Sequence, residues 1–133
     1  MSLLSRNKDL LIFDLDGTLI DSSLDISYAA NMTLRDMGYP QETVEHIKTH
    51  IGWGVGPLLE GLMPDMSKDG LTKAREVFLA HYAEHLVVDT VFYPGVMETL
   101  RQFKECGKAL AIVTNKPISL TERIVDKLAL GGL

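Results

Sequence analysis

Asp14 and Asp16 flank a single leucine at the end of the apolar run Leu10-Leu11-Ile12-Phe13, and Gly17 and Thr18 follow at once. In an extended chain alternate side chains share a face, so both carboxylates would project from one side of a strand tip. Gly17 permits a sharp turn just beyond them. Two hard oxygen ligands so placed suit Mg2+, which takes a few carboxylates together with waters and phosphate oxygens. One carboxylate can attack as a nucleophile while its neighbour hands a proton to a leaving oxygen. Two plainer explanations compete. Asp-x-Asp-Gly-Thr is also ordinary turn chemistry. A calcium loop counted from Asp14 fails, because Leu19 and Asp25 stand where Gly and Glu are required, and a strand precedes it rather than a helix.

The elements that must carry these residues follow from periodicity. Leu10 to Phe13 reads as a short, fully buried strand. Ser22-Ser23-Leu24-Asp25 fits the acidic form of a capping box. Ile26, Ala29, Ala30, Thr33, Leu34 and Met37 then lie on one helical face, closed by Gly38 and Pro40. Val44, Ile47 and Ile51 sketch a second helix, and a short helical piece ends at Met63-Pro64. Leu71, Ala74, Phe78 and Tyr82 mark another. Residues 21–88 therefore read as helices only. Past Tyr93-Pro94-Gly95, a helix carries Val96, Leu100 and Phe103 and ends at Gly107. Ala109 to Val113 is a second apolar strand, which ends in Thr114-Asn115-Lys116-Pro117. A last helix holds Leu120, Ile124 and Leu128, starting with Pro117 at its first position or with Ser119 as its cap. Apolar strands that end in small polar residues and lead toward helices describe the ligand edge of a parallel α/β sheet.

Bulk composition narrows the function. The chain has 133 residues, 46% hydrophobic and 23% charged, with a net charge of −5. The acidic balance argues against nucleic-acid or anionic-membrane partners, and an acidic substrate would need a cation or local positive groups. No apolar run is long enough to span a bilayer. Cys106 is the single cysteine, so no intrachain disulfide forms and a cytoplasmic location is expected.

Asp14-Leu15-Asp16-Gly17-Thr18 after one strand, with Ala111-Ile112-Val113-Thr114-Asn115-Lys116-Pro117 at the tip of another, resembles the first two motifs of the haloacid dehalogenase superfamily. The helical insert resembles that family's C1-type cap, and Tyr93-Pro94-Gly95-Val96 resembles its phosphoglycolate phosphatase-like members. The resemblance implies an α/β protein. Its core would be a partial Rossmann-like parallel sheet (residues 1–20 and 89–133), and residues 21–88 would form the cap. It implies a Mg2+-dependent phosphatase acting on a small phosphorylated metabolite. Asp14 would be the nucleophile, forming an aspartyl-phosphate, and Asp16 the acid and base. Mg2+ would sit on the Asp14 carboxylate and the Asp16 backbone carbonyl. Gly17, Thr114, Asn115 and Lys116 would surround the phosphoryl group. An alkoxide leaving group needs a proton and a halide does not, so Asp16 favours phosphomonoesters over haloacids; a phosphomutase would use the same pair.

The family's later lysine and acidic motifs are not found, so the chain reads as truncated after the second motif. Its alternative reading is a non-catalytic relative that completes its sheet with a partner. A two-stranded parallel sheet leaves unpaired edges, from which self-association is expected. Lys116 is a candidate for the missing positive charge, against a solvated lysine or a local phosphate contact. Trp53, between Gly52 and Gly54, is either an anchor of the cap core or part of a loop that touches the leaving group. His46/His50 and His81/His85 have zinc-compatible spacing, but neither pair reads His-Glu-x-x-His and no cysteine joins them, so exposed helix histidines are expected.

Overall fold

A computed structural model describes residues 9–133, so the first eight residues of the expected core segment lie outside the described part. In chain order the elements are β1 (Leu10–Phe13), β2 (Ile20–Asp21), α1 (Ser23–Asp36), α2 (Val44–Lys48), α3 (Val55–Leu62) and α4 (Lys68–Glu84). There follow β3 (Val91–Phe92), α5 (Val96–Glu105), β4 (Ala109–Ile112), α6 (Ile118–Lys127) and a closing 3-10 turn (Leu130–Gly132). The pattern is the expected α/β one: a parallel strand pair with a block of four helices inserted between its strands. Among the described residues no helix is long and apolar enough to cross a membrane.

β1 and β4 pair in parallel, with Leu10 beside Ala109 and Phe13 beside Ile112. Leu11, Phe13, Leu110 and Ile112 are partly buried, whereas Leu10 is 51% and Ile12 61% exposed. The expectation of a fully buried first strand is therefore corrected. Alternate residues face opposite ways, and only one face of this pair is covered by the described residues.

The inserted helices make their own core. α1 buries Ile26, Ala29, Ala30, Thr33 and Leu34, the face its periodicity foretold, and packs mainly on α4, which buries Ala74, Phe78 and Tyr82. The predicted second helix is shorter than its apolar spacing suggested, since α2 stops at Lys48 and Ile51 lies beyond it. α6 begins at Ile118 with Pro117 at its N-cap, so neither of the two expected starts holds. Ser119 lies one residue inside the helix.

The two crossings between strand pair and helices were not foreseen. β2 and β3 form a two-residue antiparallel ladder, Ile20 with Phe92 and Asp21 with Val91. A carboxylate fastens this junction. Asp25 is fully buried and accepts hydrogen bonds from the backbone N–H of Val88 (3.0 Å), Asp89 (3.0 Å) and Thr90 (2.8 Å) and from Thr90 Oγ1 (2.6 Å). The expected capping box is consequently absent. Ser22 stands at the α1 N-cap but makes no capping bond, and Asp25 is spent on the far linker. Three of the four histidines, His50, His81 and His85, are also partly buried and not the exposed residues expected. His85 Nε2 lies 3.3 Å from Asp25 and its ring stacks on Tyr28, and His81 Nε2 lies 2.7 Å from Asp36.

Asp25→Asn puts an NH2 group against N–H donors that need an acceptor, and should cost about 2–4 kcal/mol in urea unfolding. A loss below about 0.5 kcal/mol would show that the junction does not depend on this carboxylate. Asp36 is held below the usual carboxylate range, first by its hydrogen bond with His81 and then by Arg35. A carboxylate whose value is lowered in the folded state stabilises above its unfolded value and loses that contribution as pH falls through the folded one. Asp36→Asn should therefore lower the melting temperature at about pH 6, and the difference from the wild type should shrink as pH falls below about 4.

Candidate active site

The ladder between β1 and β4 continues one step past the strands, where Val113 N–H bonds to Phe13 O at 2.9 Å. Asp14 and Thr114 thus leave the two strands at the same edge, Asp14 level with Val113 and Thr114 one step further on. Beyond Asp14 the chain turns sharply around buried Leu15. Its carbonyl accepts the N–H groups of Thr18 (3.2 Å), Leu19 (3.0 Å) and Ile20 (3.2 Å). Gly17, at φ +79°, gives its N–H to Ile20 O at 2.9 Å. That left-handed backbone is the reason for a glycine after the second aspartate.

The turn sets the two carboxylates in different surroundings. Asp14 is exposed at the cleft, with Oδ1 accepting the Leu15 N–H at 2.8 Å. Asp16 is largely enclosed. Its Oδ1 accepts Ser22 Oγ–H at 2.6 Å and lies 3.3 Å from Lys116 Nζ. Lys116 is no solvated lysine, since its side chain is 5% exposed. Its ammonium also donates to the Tyr82 hydroxyl and sits 4.2 Å from the centre of the Tyr82 ring. Burial pulls the Lys116 ammonium below the ordinary lysine value, and Asp16 opposes that pull. Burial, then the charges of Asp16 and Asp25, push the Tyr82 phenol far above its ordinary value, so it stays protonated.

Thr114 Oγ1 accepts the Lys116 N–H at 3.2 Å, and Asn115 Nδ2 donates to Gly52 O at 3.0 Å. Asp14, Asp16, Thr114, Asn115 and Lys116 line one cleft from below. Ile26, Ile51, Val55, Leu58, Phe78 and Tyr82 line it from the helical side. Two expected site residues are not on this lining. Gly17 serves the turn beneath it. Trp53 is 73% exposed, and only the flanking Gly52 and Gly54 reach the cleft. Ser22 and Tyr82 were missed. Ser22 looked like a helix cap and Tyr82 continues the stripe of Ala74 and Phe78, so neither carries a distinguishing signal in sequence.

The oxygen donors at the tip fit a hard divalent cation. Asp14 keeps Oδ2 free of hydrogen bonds among the described residues, and the Asp16 carbonyl accepts none of the backbone bonds that close the turn. A second acidic group, Asp25, His85 and Asp89, brings one ligand atom each within 4.8 Å of one another. There the Asp25 oxygens are already committed to four donors, so a cation would have to displace hydrogen bonds that hold the linkers.

Residues 11–133 match the profile of the haloacid dehalogenase-like hydrolases. The chain belongs to that family. Among curated proteins it is similar to a phosphoglycolate phosphatase of Aquifex aeolicus, 41% identical over 122 residues, covering 92% of this chain and 56% of the relative. It is likewise similar to a phosphoglycolate phosphatase of Colwellia psychrerythraea, 36% identical, covering 96% of this chain and 60% of the relative. Among solved structures, a predicted phosphoglycolate phosphatase from Haemophilus somnus superposes with a TM-score of 0.84 at 32% identity, covering 90% of this chain and 57% of that one. A predicted phosphatase from Clostridium acetobutylicum shares the fold at TM-score 0.85 and 21% identity, covering 93% of this chain and 57% of that one. The chain thus spans 56–60% of the length of these relatives.

Trp53 is the only tryptophan, so its fluorescence reports this loop alone. Its emission should be that of an indole in water, with acrylamide quenching close to that of free tryptophan. A blue-shifted, protected signal would place Trp53 against the protein.

Proposed function

We propose that the chain carries the nucleophile half of a Mg2+-dependent phosphomonoester hydrolase, with the 21–88 segment as a cap over a Rossmann-like core. The supporting observation is the pairing of an open Asp14 with an enclosed Asp16 that is flanked by a hydroxyl and an ammonium. Asp14, exposed at the strand tip, attacks phosphorus, and the bond from phosphorus to the substrate's ester oxygen breaks. Asp16 gives that oxygen its proton. Both neighbours of Asp16 engage Oδ1, which leaves Oδ2 for proton exchange. Asp16 then takes a proton from water as the water attacks the aspartyl-phosphate, which releases inorganic phosphate and restores Asp14. The Thr114 hydroxyl and Asn115 N–H donate to phosphoryl oxygens, and Lys116 offsets their charge. Phosphoryl transfer depends mainly on such positioning and charge neutralisation. The Asp14 carboxylate and Asp16 carbonyl would hold Mg2+, which when bound adds further charge neutralisation at the phosphoryl group.

The substrate class is a small phosphorylated metabolite. The relatives named phosphoglycolate phosphatase make phosphoglycolate the first natural compound to try. The test is hydrolysis of p-nitrophenyl phosphate with Mg2+. Activity should disappear on chelation and fall by about 1,000-fold or more in Asp14→Asn. Hydrolysis that survives Asp14→Asn would refute covalent catalysis at this residue.

A further inference from the structure

Lys116 leaves the loop after β4, yet its ammonium touches two layers of the protein. One contact is with Asp16 on the strand-pair side. The other is with Tyr82, which belongs to α4 among the inserted helices. Both the lysine side chain and the tyrosine are nearly sealed from water, at 5% and 2% exposure. A desolvated ammonium on a flexible four-carbon stem needs partners on more than one side to hold a single position. Asp16 supplies charge. Tyr82 supplies an acceptor oxygen and a ring face, and that ring is itself braced by Phe78 with centroids 5.6 Å apart. Two further bonds cross at the same seam: Asn115 Nδ2 to Gly52 O (3.0 Å) and Arg123 Nη2 to Ala83 O (2.9 Å). The segment that carries the phosphate-binding residues is therefore also the segment on which the helices dock.

We propose that Tyr82 is a positioning residue that holds the Lys116 ammonium on Asp16, so that seating the helical layer places this cation at the phosphoryl site. The proposal rests on the phosphatase reading for its catalytic consequence only. Tyr82 acts through Lys116, and its effect should vanish when Lys116 is absent.

Tyr82→Phe removes the hydroxyl and keeps the ring; Lys116→Met keeps the apolar stem. Urea unfolding of wild type, both single variants and the double variant should be non-additive by about 5-fold or more in the unfolding equilibrium constant. Additivity within about 2-fold would overturn the contact. With p-nitrophenyl phosphate and Mg2+, Tyr82→Phe should lower kcat about 10-fold with KM within about 2-fold, and should change nothing further in the Lys116→Met background. An equal loss in both backgrounds, or none in either, would overturn the positioning role. A wild type that hydrolyses nothing, or an Asp14→Asn variant as active as wild type, would sink the phosphatase reading instead. The unfolding cycle would still decide whether Tyr82 holds Lys116.

Discussion

The parallel pairing of β1 with β4 decides where every charged group of the cleft stands. Phe13 lies beside Ile112, and Val113 N–H reaches back to Phe13 O. Two residues far apart in the chain, Asp14 and Thr114, leave the sheet at the same edge because of that pairing, Asp14 level with Val113 and Thr114 one step further on. A slip of one residue would turn each side chain of the slipped strand to the opposite face of the sheet and change which groups meet at this edge. The turn at Gly17 then carries Asp16 back under Lys116, whose own position follows from the loop that leaves β4.

Of the two carboxylates that the described residues bring to the cleft, one is paired with the Lys116 ammonium and the other is left open. Asp16 and Lys116 form a pair whose ammonium end is almost dry, and removing charges from water is costly unless every remaining donor and acceptor is met. Ser22 and Tyr82 meet part of that demand, one from each side. Among the described residues the exposed Asp14 accepts a single hydrogen bond, from the Leu15 N–H, and its second oxygen accepts none. Residues of identical chemistry thus stand in different surroundings, one carboxylate open to water and the other enclosed.

Much of this was legible beforehand where periodicity and motif agreed. The apolar stripe of α1 and the strand at Ala109–Ile112 needed only spacing, whereas the grouping of Asp14, Asp16, Thr114, Asn115 and Lys116 at one cleft followed from the resemblance of their two motifs to the family's. What escaped depended on partners distant in sequence. Asp25 suits a capping box by local rules, but backbone N–H groups 63 to 65 residues away claim its carboxylate. Ser22 follows the same logic, its hydroxyl going to Asp16 and not to the helix. Tyr82 obeys the helical stripe faithfully and still places its oxygen on a lysine of another layer. Trp53 illustrates the reverse error, for flanking glycines suggested a loop folded over the cleft and only their backbones reach it. The exposure of Leu10 and Ile12 was equally hidden, because an apolar strand reads the same whether one of its faces is covered or both.

The ladder of Ile20 with Phe92 and Asp21 with Val91 has a consequence for modularity. The helical insert departs and returns at neighbouring points, about one strand spacing of 4.8 Å apart. To the strand pair beneath, some seventy residues are therefore equivalent to a hairpin loop, and loop-closure entropy rises only with the logarithm of length. Such an insert can change in length at little entropic cost to the β1–β4 pairing beneath it. The two linkers run as a single two-residue ribbon fastened by Asp25, so a twist imposed on one is shared by the other.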